Sequence, residues 1–254
     1  LPLEKLISFQ PPKDKIEASY DREAQLYANV FTDIKVREDE WKWLMKHFPK
    51  NKKPVVLDIG CGNGALLREL SPMIEKGIGI DASNGIIEIA KETQSELNNL
   101  KFEIISGPQI PLENNSVDVV FSLLSFRYLD WDPLMDEIKR VLRPGGKVLI
   151  IDMITIPVKW YEFPELLISK FKHYFHRRKY KTFYSNLTKL VNDPAWKEML
   201  KYNPIRAEHE MKWYLESRFP GKKVEKINIG WNSSILAFDS GNIENIKDIY
   251  LTYP

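Results

Sequence analysis

The chain has 254 residues, 43% hydrophobic and 28% charged, which suits one large soluble globular domain or a core domain carrying an insertion. Its 37 Lys and Arg nearly balance 35 Asp and Glu, so no overall field draws it to nucleic acid or membranes, and any such affinity is local. Cys61 is the single cysteine, which excludes an internal disulfide and a thiolate zinc cluster and fits a reducing, cytoplasmic compartment. No apolar run reaches the roughly 20 residues of a membrane span. The opening Leu1-Pro2-Leu3-Glu4-Lys5 lacks the charged-then-apolar pattern of a signal peptide.

Residues 14–50 read as helical. Ile16, Tyr20, Ala24, Tyr27 and Phe31 recur every three or four positions as one apolar stripe, and a second short helix runs through Trp41, Leu44 and Phe48 to Pro49. From there short apolar runs alternate with helical stretches. The runs are 54–59, 77–81, 102–105, 117–123 and 147–153; the helical stretches between them are 65–70, 85–97 and 134–142. This alternation predicts βα units and a parallel sheet covered on both faces. Residues 159–218 show no strand pattern and read as two or three helices rich in aromatic and basic residues. Strand signals return at 224–231 and 234–238, and their short link Asn232-Ser233 predicts an antiparallel hairpin. The divisions expected are N-terminal helices (1–50), a ligand-binding core (51–156), a helical insertion (157–221) and a closing hairpin with a tail (222–254).

Val55-Val56-Leu57-Asp58-Ile59-Gly60-Cys61-Gly62-Asn63-Gly64 runs from a buried strand into a helix. Glycines there permit a tight turn, and free N–H groups at the helix start suit an anion such as an amino-acid carboxylate. Asp58 is placed to attract an ammonium. The next strand ends in Asp81, 21 positions after Gly60, where a carboxylate can accept both hydroxyl protons of a ribose. Gly60, Gly62 and Ala65 also satisfy the dinucleotide pattern G-x-G-x-x-G/A, so the loop alone leaves a nicotinamide or flavin enzyme open, and a purely structural tight turn as well.

Asp58-Ile59-Gly60-Cys61-Gly62-Asn63-Gly64 resembles the first motif of class I S-adenosylmethionine methyltransferases, and Gly79-Ile80-Asp81-Ala82-Ser83 their second-strand motif. Asn115-Ser116-Val117-Asp118-Val119-Val120 resembles their fourth strand, and Leu142-Arg143-Pro144-Gly145-Gly146-Lys147-Val148-Leu149 the turn into the fifth. A dehydrogenase would match the first two and not the last. The resemblance implies a doubly wound, mainly parallel seven-stranded α/β sheet of order 3-2-1-4-5-7-6, closed by an antiparallel hairpin. It implies S-adenosylmethionine as cofactor, with Gly60 and Gly62 at the methionine end, Asp58 toward its amino group, Asp81 on the ribose, Ala82 beside the adenine and Leu123 reaching the cofactor. Where many relatives carry an Asp for the adenine amino group this chain has Gly107-Pro108, leaving that contact to backbone atoms around Pro108 or to Gln109. Arg127-Tyr128 stand where many small-molecule methyltransferases carry His-His, so Tyr128 is expected to meet the nucleophile and Arg127 a carboxylate or phosphate of the acceptor. No Asn/Asp-Pro-Pro-Tyr stretch follows that strand, which argues against the amino-methylating nucleic-acid branch.

The expected function is therefore transfer of a methyl group to O, N or C of a small or lipid-like acceptor. An RNA methyltransferase and an inactive cofactor-binding regulatory module remain the alternatives. Lys170–Lys181 holds six permanent cations and no acid. Three readings stand for it: a solvated helix face, a surface for anionic lipid or nucleic acid, and a contact to an acidic substrate. His47, His173, His176 and His209 lack metal-ligand spacing, so no metal is expected, and His173 with His176 read as solvated. Cys61 reads as a packing residue.

Overall fold

The computed structural model describes residues 13–50, 52–94, 96–155, 159–202, 205–230, 233–245 and 249. Among the described residues, eight strands form one sheet: β1 Val55–Ile59, β2 Lys76–Asp81, β3 Leu100–Ile104, β4 Val117–Leu123, β5 Leu142–Thr155, β6 Arg206–Ala207, β7 Val224–Asn228 and β8 Ser234–Asp239. The order is β3-β2-β1-β4-β5-β8-β7, with the two-residue β6 pairing beside the end of β5. β1 to β5 are parallel and β8 and β7 return antiparallel. Setting β6 aside, this is the 3-2-1-4-5-7-6 order expected from the sequence. The proposed link residue Asn232, and Trp231 before it, lie outside the described residues.

Every residue of β1 is buried, because helices cover both faces of the sheet. On one face, Trp43 and Leu44 of α2 (Glu38–His47), Leu66 and Leu67 of α3 (Ala65–Leu70) and Ile87 of α4 (Asn84–Thr93) pack on Val56, Val119 and Phe121. On the other, Met135 and Ile138 of α5 (Trp131–Val141) and Met211 and Leu215 of α9 (Glu208–Arg218) pack on Leu57, Val120 and Ile150. Val56 and Leu57 thus feed opposite cores, as strand alternation requires.

The N-terminal helix α1 (Lys13–Val30) packs on α4, and on α7 (Lys181–Asn192) and α8 (Pro194–Tyr202). Ala24 and Ala28 are buried on it, while the side chains of Ile16 and Tyr20 lie outside the described residues. α1 does not run on into α2. Asp33 accepts the Lys35 N–H across 2.8 Å and starts a short 3-10 turn at Ile34–Val36.

Three local expectations are corrected. Among its described residues the segment 159–218 holds four α-helices, α6 (Phe163–Lys179) to α9, and the strand β6, which is too short to give a periodic signal. β5 begins at Leu142, not Lys147. Val117 pairs with Leu142 and Val119 with Lys147, so Arg143-Pro144-Gly145-Gly146 bulges within the strand and does not precede it as a turn. β3 begins at Leu100 and ends one residue before Ile105, whose N–H still donates to the Asp81 carbonyl.

Candidate active site

The carboxyl ends of β1, β2 and β4 meet at one edge of the sheet, the position where open α/β sheets bind ligands. The loop after β1 is held there by its own amides: Gly60 and Cys61 both donate to the Ile80 carbonyl, and the Gly62 N–H donates to Asp81 Oδ2 across 2.9 Å. Asp81 Oδ1 takes the Ser83 N–H at 3.0 Å. Burial pushes the Asp81 carboxyl above the usual range, and the amides of Ser83, Gly62 and Ala82 oppose that shift.

Gly60 and Gly62 are both left-handed, at φ 73° and 54°. A Cβ on Gly60 would lie 2.3 Å from Cβ of Ser125, so the glycine admits the loop after β4. There Ser125 Oγ donates to the Ile59 carbonyl at 2.7 Å. Leu124 beside it adopts φ 59°, a costly conformation for a side chain of that size, in the wall of the same cleft. Over Gly62 lies the Tyr27 ring, 3.1 Å from a Cβ placed there. Burial pushes the Tyr27 hydroxyl up to about 12; Arg37, Asp81, Tyr128 and Arg127 are the charged and titratable groups around it.

Asp58 lies inside this enclosure with Leu123, Leu124 and Gly60. It is 2% exposed and its Oδ1 has no hydrogen-bond partner. Burial, with Asp81 adding repulsion, lifts its carboxyl to about 7. An unsatisfied buried carboxylate is expensive unless a ligand pairs with it. Cys61 is buried and burial raises its thiol well above the ordinary value, which suits packing.

The sequence-derived residues do not all converge. Asp58, Gly60 and Leu123 line one cleft, Gly62 is bonded to Asp81, and Asp81 lies close enough to Asp58 to repel its charge. Ala82, Pro108 and Gln109 are exposed at the rim, and Gly107 faces open space. Arg127 does not present its guanidinium to an acceptor. It pairs with Asp152 and donates from its second terminal nitrogen to the Tyr128 hydroxyl at 2.6 Å, stacked 4.3 Å over that ring. Burial disfavours its charge, yet Asp152 and Tyr128 hold its pKa above the ordinary value. One residue beyond Tyr128 in the chain begins an open groove of about 400 Å³, where the aromatic rings of Trp131, Trp213 and Tyr214 stand with three acids, Asp130, Asp132 and Glu210, and with Arg206 and His209.

His173 is exposed, as the solvated reading expects, but for His176 that reading is corrected. His176 Nε2 donates to the Val36 carbonyl at 2.8 Å, and its Nδ1 accepts from the Tyr184 hydroxyl at 2.9 Å, which fixes the tautomer because a carbonyl only accepts. Tyr184 also lies 3.2 Å from His173 Nδ1. Among the described residues, no group of three or more His, Cys, Asp or Glu is placed to hold a metal.

Several residues of the site escape a sequence reading. Tyr27 belongs to the apolar stripe of α1, and only tertiary contact sets it over Gly62. Asp21 of the same helix accepts from Ser83 Oγ at 2.5 Å and from the Gly85 N–H at 3.1 Å, pinning α1 to the start of α4. Asn63, inside the glycine motif, donates to the Phe31 carbonyl at 3.0 Å and ties the loop to the end of α1.

A largely parallel sheet with a glycine loop after β1, an acid ending β2 and a buried carboxylate on β1 with an unpartnered oxygen defines a Rossmann-like nucleoside-binding domain. Residues 57–150 match the family described as "Methyltransferase domain". The chain is 28% identical over 219 residues to a demethylmenaquinone methyltransferase of Oceanobacillus iheyensis, covering 82% of each protein. It is 32% identical over 140 residues to a malonyl-[acyl-carrier protein] O-methyltransferase of Marinomonas sp., over 54% of this chain and about half (51%) of that protein. The solved structure of a SAM-dependent methyltransferase from Aquifex aeolicus shares the fold at TM-score 0.53 and 22% identity, over 82% of this chain and 94% of that one. Residues 57–150 thus form a methyltransferase domain, with S-adenosylmethionine as its cofactor.

Proposed function

We propose that this protein moves the methyl group of S-adenosylmethionine to a nucleophilic atom of a small-molecule or lipid-like acceptor. The observation that carries the reading is the buried Asp58 carboxylate, which has an oxygen without a partner, lines the cleft with Gly60 and Leu123, and feels the charge of Asp81. A ligand with an ammonium at one end and a ribose diol further along answers both acids. In this reading Asp58 takes the ammonium, and the Gly60–Gly62 loop and Leu123 flank the methionine portion. Asp81 accepts from the ribose, with Ala82, Pro108 and Gln109 at the adenine rim.

The bound cofactor supplies an activated sulfonium methyl. With the methyl already activated in this way, the residues around the cleft would have to position the acceptor's nucleophilic atom and exclude water. Tyr128 meets the acceptor, and Arg127 is a positioning residue that holds the Tyr128 hydroxyl in place. The groove past Tyr128 sets Trp131, Trp213 and Tyr214 beside the carboxylates of Asp130, Asp132 and Glu210, a lining that repels a nucleic acid backbone. The segment 157–221 is read as a cap over this edge, joined to the 1–50 helices through α1, and a cytoplasmic setting belongs to the same reading. The demethylmenaquinone methyltransferase relative favours a lipid-like acceptor, and no described helix is long and apolar enough to cross a membrane.

The test is methyl transfer from labelled S-adenosylmethionine to a panel of isoprenoid quinols, acyl thioesters and RNA. Label in the organic extract of the quinol or thioester reaction supports the reading. Label in RNA alone, or none with any acceptor despite cofactor binding, replaces it with one of the two alternatives.

A further inference from the structure

α6 carries two faces that do not belong together in a helix packed only on its own protein. Leu166, 1% exposed, is buried, and Ser169 and His176 on the same side are half-buried. At about 100° per residue the opposite side, an arc of roughly 120°, presents Leu167, Ile168, Phe171, Tyr174 and Phe175. All are more than half exposed, with Phe171 at 68% near the centre. Phe171 and Phe175 contact each other at 4.9 Å, and Tyr174 meets Phe175 at 5.4 Å, so the arc is one continuous apolar patch. Trp160 and Tyr161, 87% and 57% exposed, extend the exposed aromatic run just before the helix. Contiguous exposed apolar surface of this kind marks an interaction site.

The charges say what covers it. Lys170 and Arg177 fall along one border of the arc and Lys172 along the other, with Arg178 within it at the helix end; Lys179 beside Lys172 is already paired with Glu38, and between Glu165 and Asp193 the sequence has no acidic residue. A second copy docking face to face would set these cations against their own kind. An apolar stripe bordered on both sides by Lys and Arg, with Trp and Tyr at its start, is the pattern of a helix lying in a bilayer interface. We propose that α6 docks the protein on an anionic lipid surface, its apolar arc in the headgroup–acyl boundary and its bordering cations on lipid phosphates.

The helix is also joined to the cleft. His176 donates to the Val36 carbonyl at 2.8 Å, and Lys179 and Tyr180 reach Glu38 at 2.7 and 3.0 Å. The Ile34–Arg37 segment between α1 and α2 supplies Ile34 and Arg37 to the wall of the cofactor cleft. A docked α6 therefore brings the cleft beside the membrane. The inference deepens the lipid-acceptor reading above, but docking is measured with no cofactor or acceptor present, so either can fail alone.

The experiment is cosedimentation of the full chain with vesicles of phosphatidylcholine alone and of phosphatidylcholine mixed with phosphatidylglycerol, at low and high salt. Thermal melts check each variant, and sedimentation velocity is run without lipid. The chain should partition into the anionic vesicles, weakly into the zwitterionic ones, and less at high salt. Phe171→Ser with Phe175→Ser should weaken partitioning on the order of tenfold. Lys172→Gln and Arg177→Gln should each weaken it roughly fivefold, with melts unchanged. No partitioning at low salt overturns the proposal, as does equal binding by the double Phe variant. A lipid-free dimer that the Phe changes dissociate overturns it too, because the arc would then be covered by a second copy.

Discussion

Asp152, wholly buried on β5, receives both the backbone N–H of Arg127 at 2.7 Å and the Arg127 guanidinium. One carboxylate therefore fixes the turn after β4 and aims the side chain that holds Tyr128. Burial raises the Asp152 carboxyl above its ordinary range, while Arg127 and the amides of Arg127 and Met153 pull it back. Removing one partner of a buried ion pair leaves the other charge uncompensated, at about 3–5 kcal/mol. Asp152→Ala should lower unfolding stability by that order in urea titrations. A loss under about 1 kcal/mol would show that water reaches this pair.

Asp58 makes cofactor binding dependent on protons. Its folded-state pKa of about 7 lies above the ordinary 3.8, so the folded chain holds this proton where the unfolded chain has lost it. Its contribution to stability is therefore full below the unfolded value and is lost as pH rises through about 7. An ammonium placed beside it favours the ionised form. Binding below about pH 7 should then release a proton, detected as a dependence of calorimetric heat on buffer ionisation enthalpy. Asp58→Asn should abolish that dependence and flatten the loss of stability toward neutral pH. Equal proton release by the variant would remove Asp58 from the account.

The cationic end of α6 should matter little to the fold. Arg178 reaches the Tyr174 hydroxyl at 3.0 Å and Lys179 reaches Glu38 at 2.7 Å, both at exposed positions where such contacts stabilise weakly. Replacing Arg177, Arg178 and Lys179 by Gln should leave the melting temperature nearly unchanged. A large drop would make the run a structural brace between α6 and the start of α2.

Sequence and structure agree where one segment carries its own signal. β1 is an unbroken apolar run ending in the glycine loop, and β2 ends in Asp81, so both are readable from neighbouring residues. The partners of that loop are not. Ser125 meets Gly60 from 65 positions away, Tyr27 covers Gly62 from α1, and Asp152 claims Arg127 from a different strand. Each contact depends on how β4, β5 and α1 are brought together, which no local pattern encodes. Arg127 illustrates the consequence: beside Tyr128 in the sequence it reads as an anion binder, and only the buried Asp152 shows that its charge is already matched. The β5 boundary was hidden for another reason, since Pro144-Gly145-Gly146 carries turn chemistry even when it forms a bulge inside a strand.

The central claim, that the cleft at the ends of β1, β2 and β4 holds S-adenosylmethionine through its two acids, is tested most directly by calorimetric titration. S-adenosylmethionine and NADH are titrated into the full chain and into Asp81→Asn. The Gly62 and Ser83 amides already occupy one lone pair on each Asp81 oxygen, and Asn keeps one acceptor for them while removing the charge. Each charge-assisted hydrogen bond lost costs on the order of 1.5–3 kcal/mol. The account predicts saturable binding of S-adenosylmethionine, none of NADH, and affinity at least roughly tenfold weaker in a variant that melts like the parent chain. Undiminished affinity in Asp81→Asn, or saturable binding of NADH in place of S-adenosylmethionine, would contradict it.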